Sequence, residues 1–278
     1  VVLTRMDGDG HGENAGAAIV DGKLPNAPLD CRYGLAGRSC WRHRVEQFTL
    51  ARSVSKRYAL LKDQEMTMSQ AVHVTQDNLT NANLVDIDAG ELADGAVRLK
   101  IESFAVTANN VTYAVVGDMI GYWQFFPPAG QQTEGWGVIP VWGFANVIES
   151  RCDQVPVGER LFGYFPPATQ VIMQPTHISD QRLVDGIAHR SKLPPGYNSY
   201  SRVLHEPHYD VSAEAERMLL WPLHITSFCL WDALKDKAWR GAQQVIIISA
   251  SSKTSIGLGY ALAQDDQAPA TVALTSAR

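Results

Sequence analysis

The sequence has no long hydrophobic run. Nowhere does it hold about 18 consecutive apolar residues, the length that marks a membrane-crossing helix, so no membrane partner is expected. It does not open on a charged start followed by an apolar stretch, and no signal peptide is expected. Cysteine is scarce: Cys31, Cys40, Cys152 and Cys229 stand far apart and form no C-x-x-C pair. That spacing suggests neither a disulfide framework nor a zinc ribbon and fits a reducing, cytoplasmic compartment. Positive charge is in deficit, with 24 Lys and Arg against 29 Asp and Glu. The net charge of −5 removes the electrostatic footprint of a nucleic-acid binder. The Gly-x4-Gly-Lys spacing of a P-loop is missing. Metal ligands are too dispersed to converge. Asp7-Gly8-Asp9-Gly10-His11-Gly12 lacks the later acids of a calcium loop, and Cys31, Cys40 and His43 lack a fourth partner. In His205-Glu206-Pro207-His208 the proline breaks any helix that would align the two histidines, so a surface loop is expected.

What is present falls into two compositions. Residues 1–65 carry ten Lys/Arg and eight Asp/Glu and have little periodicity, whereas the remainder carries fourteen against twenty-one. A weak helical spacing over 45–61 is the one pattern in the first part, which reads as a poorly ordered extension outside the fold. From Val97 the text changes. Val97-Arg98-Leu99-Lys100-Ile101-Glu102 alternates apolar and charged, the mark of a half-buried strand. A loop or turn over 105–113, an apolar stretch over 138–148, the turn and strand over 157–164 and a strand over 169–173 follow. Short strands punctuated by Gly and Pro predict a small β-barrel. The aromatic run Gly117 to Phe126 either covers an apolar substrate pocket or fills the barrel end. Residues 213–218 and 222–239 read as helical; within the latter, His224 suits a core or cleft-lining position and Cys229 a buried, inert one.

The last stretch is the most informative. Val245-Ile246-Ile247-Ile248 is wholly apolar, Ser249-Ala250-Ser251-Ser252-Lys253-Thr254-Ser255 follows, and Ala270-Thr271-Val272-Ala273-Leu274 is a second apolar run. This predicts strand, small-residue turn, helix, strand: the opening of a nucleotide-binding α/β domain. Amides and hydroxyls at a helix N-terminus attract anions, and the same Ser and Thr residues also cap the helix.

These elements, in this order, resemble the medium-chain dehydrogenase/reductase superfamily, in its zinc-free quinone-oxidoreductase-like branch. The closest resemblance is to an uncharacterised family related to that branch, carried by Pro222-Leu223, Thr226-Ser227-Phe228, the Ser-rich turn, and Leu274-Thr275-Ser276 before an Arg. The resemblance covers roughly residues 90–278. It implies an α/β fold with a β-barrel: a GroES-like barrel (66–220, the substrate domain) followed by the first β-α-β of a Rossmann domain (221–278). That domain is expected to be truncated, since the resemblance breaks off after its second strand. With half the crevice missing, weak NADPH binding and a tendency to associate are expected.

The resemblance also implies the site. Asn109-Asn110 and Trp142-Gly143-Phe144 stand where zinc-dependent relatives place their ligands, so a zinc-free site is implied. Tyr113 and Asn110 are the candidate catalytic residues beside the nicotinamide. Ser251, Ser252, Lys253, Thr254 and Ser255 are the candidate phosphate contacts. Arg278, with no acid nearby, favours the 2′-phosphate of NADP over NAD. The implied activity is NADPH-dependent hydride transfer to a conjugated or quinone-like carbonyl of a small-molecule substrate, in a homodimer when full-length. A non-catalytic nucleotide- or partner-binding member of the same fold is the alternative.

Overall fold

The computed structural model describes residues 2–4, 17–20, 69–88, 90–130 and 133–274. The weak helical spacing over 45–61, His43, Cys31 and Cys40 lie outside these residues, as does Arg278. The described chain divides after Glu214 into two compact units.

The first unit is built on a nearly closed, barrel-like sheet. Its strands are β1 (Val2–Thr4), β2 (Ala17–Val20), β5 (Val97–Val106), β7 (Val141–Ser150), β8 (Arg160–Phe165), β9 (Gln170–Met173), β10 (Pro175–Thr176), β11 (Arg182–Asp185) and β12 (Ser199–Arg202). Antiparallel pairing runs from β5 through β7, β8, β12 and β11 to β10. The chain passes from β9 to β10 through Gln174 alone, and β9 pairs back onto β5, with Val97 opposite Met173 and Lys100 opposite Gln170. One bent strand thus meets both ends of the row. A smaller antiparallel sheet joins β4 (Ala82–Ile87), β3 (Ser69–Thr75) and β6 (Trp136–Gly137). It is tied to the barrel where Ala71 bridges Ala168.

β5 shows how sequence pattern becomes packing. Val97, Leu99 and Ile101 are buried, and then the register shifts at Glu102 and burial moves to Phe104 and Val106. Such a bulge re-aims side chains, and Glu102 here reaches the Arg160 guanidinium at 2.9 Å. Arg160 also donates to Asn146, to Tyr209 and to both carboxylate oxygens of Glu214. Burial opposes the charge of Arg160, but Glu214 and Glu102 outweigh it and hold the guanidinium firmly protonated.

The ring of strands is locked at its seam by a buried ion pair. Asp185 ends β11, with its Oδ2 2.7 Å from Arg190 Nη1. Its Oδ1 accepts the amides of Gln174 and Ile187, each at 3.1 Å. Arg190 further donates to the Phe125 carbonyl and lies over the Phe126 ring. Gly163 in β8 leaves room for Tyr200, since a Cβ there would stand 2.2 Å from the Tyr200 ring.

The second unit carries α3 (Glu214–Asp236), which begins on the last residue of the first unit. β13 (Gln244–Ile248), α4 (Lys253–Ala263) and β14 (Ala270–Leu274) follow. β13 and β14 pair in parallel, Gln244 opposite Ala270 through Ile248 opposite Leu274. Ile247, Leu258 and Leu262 form its buried centre, with Trp231, Trp239 and Val245 packed against them. The opposite face of the pair is bare: Ile246, Ile248, Val272 and Leu274 are exposed. Gly257 lets α4 approach α3 closely, because a Cβ would meet Ser227 Oγ at 2.8 Å.

Several expectations change. Residues 105–113 hold not a loop but most of α1 (Ala108–Val115), started by a capping box in which Thr107 caps and Asn110 reaches back. The two helical stretches expected over 213–218 and 222–239 are one helix, with Pro222 inside it. Proline there removes one backbone donor, and the hydroxyl of Thr226 takes up the Pro222 carbonyl at 3.0 Å. Within the stretch assigned to an extension, residues 17–20 pair with β5, Ala18 opposite Val106. A four-residue apolar run between Gly16 and Asp21 is too short for periodicity to mark, yet long enough to extend a sheet edge. Cys229 and His224 are exposed on α3 rather than buried or cleft-lining. The aromatic run over 117–126, which opens as the short helix α2 (Gly117–Ile120), fills rather than covers, with Tyr122, Phe125 and Phe126 in the core.

Candidate functional site

The sequence singles out two places, and they lie in different units. Tyr113 and Asn110 sit on α1 in the first unit, and residues 251–255 form the entry of α4 in the second.

Asn110 is buried and its carboxamide is engaged. Oδ1 accepts from the Thr107 amide at 2.6 Å and lies 3.2 Å from its hydroxyl, while Nδ2 donates to the Pro140 carbonyl at 2.8 Å. These bonds fix the start of α1 and dock it on the chain entering β7. Asn109 is half-buried and its amide donates to Thr107 Oγ1.

Tyr113, one turn along α1, is also buried. Burial raises its phenol pKa to about 12, a rise opposed by the Trp142 side chain and reinforced by Tyr122. A phenol in that state is neutral near pH 7 and offers a proton or a hydrogen bond. Tyr113 is not alone. Its ring centroid lies 4.7 Å from Tyr122 and 5.6 Å from Tyr164, and Tyr122 and Tyr197 share a 2.7 Å hydroxyl–hydroxyl hydrogen bond. The Tyr164 hydroxyl is buried, and among the described residues it has no hydrogen-bond partner. Burial, and then Tyr113, Tyr197 and Tyr122, push its pKa well above the ordinary value. The sequence reading took Tyr122 only as part of the aromatic run over 117–126 and did not single out Tyr164 or Tyr197, which gather with it only through the barrel's long-range pairing.

The Ser-rich turn is a capped helix entry. Ser249 adopts a left-handed φ of 62°, which turns the chain from β13 toward α4. Ser252 is the N-cap: its Oγ accepts the Ser255 amide at 3.2 Å and donates to Ser255 Oγ at 2.8 Å. The Thr254 carbonyl accepts from Ser227 Oγ at 2.7 Å, which ties the turn to α3. Lys253 is the first helical residue and Thr254 the second. Amides at these positions have no carbonyl one turn back to bond and point along the helix axis. Ser251 is exposed, and Lys253 is half-buried. The donor set therefore fits a phosphate: orphan amides, hydroxyls and one ammonium. Among the described residues no group of three His, Cys, Asp or Glu side chains is placed to hold a metal ion, and no helix is long and apolar enough to cross a membrane.

Fold and site describe a mixed α/β chain: a barrel-like sheet carrying a phenol cluster, and a parallel strand–helix–strand unit whose helix is entered through a Ser-rich, capped turn. The family described as "Protein of unknown function (DUF2855)" matches residues 104–278, and the chain belongs to that family. No curated protein matches the sequence. Solved structures similar to it include the CurK enoyl reductase, at 13% identity and a TM-score of 0.41, covering 75% of this chain and 54% of that one. The mycobacterial protein Rv1454c complexed with NADPH matches at 15% identity and 0.40, covering 76% and 53%. A mutant form of enoyl thioester reductase from Candida tropicalis matches at 12% and 0.43, covering 77% and 56%. The chain spans about half the length of these proteins.

Proposed function

We propose that this chain is part of a zinc-free, NADPH-dependent oxidoreductase that reduces a conjugated or quinone-like carbonyl of a small molecule. In this reading residues 66–220 are a GroES-like substrate domain and residues 221–278 open a Rossmann cofactor domain. The observation that carries it is the entry of α4. A parallel pair of strands flanks a helix whose first turn presents Ser252 as cap, Lys253 and the backbone amides of the helix start. A dinucleotide's phosphate sits at such a terminus. Bound NADPH supplies the hydride, and the protein supplies position and electrostatics. Ser251, Ser252, Lys253, Thr254 and Ser255 hold the phosphate, with Lys253 as a point charge. Tyr113 donates toward the oxygen on which charge develops, and Asn110 fixes the helix that aims it. The preference for NADPH over NADH rests on Arg278 in the sequence.

Calorimetric titration of NADPH into wild type and Lys253→Ala tests this. A charge-assisted hydrogen bond contributes ~1.5–3 kcal/mol, so the substitution weakens binding roughly tenfold or more. Equal affinity would reduce the turn to a helix cap.

One observation favours a second reading, a non-catalytic nucleotide- or partner-binding protein. Asn110 already spends its oxygen and its amide group on Thr107 and Pro140, leaving little capacity toward a substrate. NADPH that binds but is not oxidised by a panel of quinones and enones would support it.

A further inference from the structure

α3 holds α4 at both ends. Ser227, Trp231 and Lys235 are spaced four residues apart and share one face of α3. At the far end, Trp231 Nε1 donates to Asp265 Oδ2 at 3.0 Å, and Lys235 Nζ lies 2.9 Å from the same oxygen, just past the last residue of α4. At the near end, Ser227 Oγ lies 2.7 Å from the Thr254 carbonyl and 3.0 Å from the Leu223 carbonyl of its own helix. A hydroxyl has one proton to donate, and the shorter contact is the one that leaves α3. Ser227 is 1% exposed, so water does not compete for that proton. Gly257, three residues along α4 from Thr254, lacks the Cβ that would collide with this hydroxyl. The contact is therefore built from both helices. It also differs in kind from the Ser252 cap, whose Oγ accepts the Ser255 amide within the same turn. The cap closes the turn on itself, whereas Ser227 sets where the turn stands along α3.

We infer that Ser227 is a positioning residue for the turn proposed above to hold the cofactor phosphate. It touches no ligand and acts through Thr254. By holding the Thr254 carbonyl, it fixes the height and rotation of the first turn of α4 before a ligand arrives. The Lys253 and Thr254 amides and the Lys253 side chain then keep one direction, and binding does not have to order them. The two ends of the grip have different consequences. Trp231 and Asp265 hold the helix in its unit, while Ser227 aims its start. The inference rests on the reading of the turn as a phosphate site. It does not need NADPH to be the ligand, because inorganic pyrophosphate presents the same chemical group.

Pyrophosphate and NADPH are each titrated calorimetrically into wild type, Ser227→Ala and Trp231→Phe, and amide exchange over residues 255–258 is followed without ligand. Ser227→Ala removes the bond and little volume. It is expected to bind both probes about fivefold more weakly, the worth of one neutral hydrogen bond carried through to the ligand. Its amides over 255–258 are expected to exchange several-fold faster. Trp231→Phe keeps a ring and loses the Asp265 bond. It is expected to lower the melting temperature and leave both affinities within about twofold of wild type. Ser227→Ala at wild-type affinity for both probes would overturn the inference. So would a Trp231→Phe that weakens binding as much as Ser227→Ala, because any loosening of α4 would then have the same effect. Should Ser227→Ala not fold, Ser227→Cys keeps the side chain with a weaker donor. It is expected to bind pyrophosphate about twofold more weakly, and an unchanged affinity would overturn the inference. Pyrophosphate binding that Ser227→Ala weakens, with no binding of NADPH, would remove the cofactor reading and keep Ser227 in its role. NADPH bound equally by wild type and Ser227→Ala would do the reverse. No saturable binding of either probe to wild type would end both.

Discussion

Replacing Asp185 by Ala probes the seam of the barrel. The carboxylate is almost fully buried, with 1% of its side chain exposed against 3% for Arg190, its 2.7 Å partner. It also receives two amides, those of Gln174 and Ile187. Burial pushes its pKa up, against the pull of Arg190, so the pair is held in an environment that penalises charge. Removing one member of a buried pair leaves the other uncompensated and costs about 3–5 kcal/mol. Each orphaned amide adds about 1–3 kcal/mol unless water reaches it. A domain stable by about 5–15 kcal/mol loses most of its margin. At roughly 2–4 °C per kcal/mol for a unit of this size, Asp185→Ala should lower the melting temperature by about 10 °C or more. Thermal unfolding followed by near-UV circular dichroism reads the tertiary packing of the aromatic core directly. The double variant Asp185→Leu with Arg190→Met, which removes both charges, should recover part of the loss. A single variant melting within about 2 °C of wild type would refute the account, because no buried charge would then have been left behind.

Gly163→Ala should destabilise by about 1–3 kcal/mol through overpacking, because the new Cβ would meet the buried Tyr200 ring at 2.2 Å; chemical denaturation checks it. His73 is buried, its Nδ1 has no partner among the described residues, and burial lowers its pKa. Its unfolded form binds protons more readily than its folded form, so stability should fall as pH drops through about 6.5. His73→Gln should flatten that slope in melting temperatures taken between about pH 5 and 8. Ile248 is 76% exposed on the bare face of the β13–β14 pair, and Ile248→Lys should reduce concentration-dependent association in sedimentation without lowering the melting temperature.

The parts of the fold that were legible were those whose period is local. The apolar runs at 245–248 and 270–274 became β13 and β14, and the alternation from Val97 became β5 until its bulge. The hairpin of β3 and β4 was not read. Its connection is held by Asn78, whose Oδ1 accepts from the Thr80 amide and hydroxyl and whose carbonyl accepts from Thr75 Oγ1. No Gly or Pro announces that turn. α1 was hidden because its capping box uses Asn at the position where Glu or Gln is the usual signal. At the site, the Ser-rich turn was visible because caps are local chemistry. The phenol cluster was not, because residues 113, 122, 164 and 197 meet only after the barrel closes.

The bent strand of β9 and β10 has a consequence for the order in which the barrel assembles. β10, β11 and β12 are successive antiparallel neighbours, joined through 177–181 and 186–198, and β7 and β8 are joined through 151–159, connections far shorter than the span from β5 to β9. Each of these meanders can form by itself, since its contacts are near in sequence. The pairing of β9 with β5 is different, because Lys100 must find Gln170 across most of the barrel's length. Bringing such distant segments together carries a loop-closure cost that local hairpins avoid. The barrel is therefore expected to zip last between Gln170 and Met173, and until it does, one edge of β5 presents unpaired amides and carbonyls. An open barrel of this kind is the species most exposed to pairing with another chain. Hydrogen exchange during refolding would find the amides of residues 97–100 that face β9 protected later than those of β11 and β12.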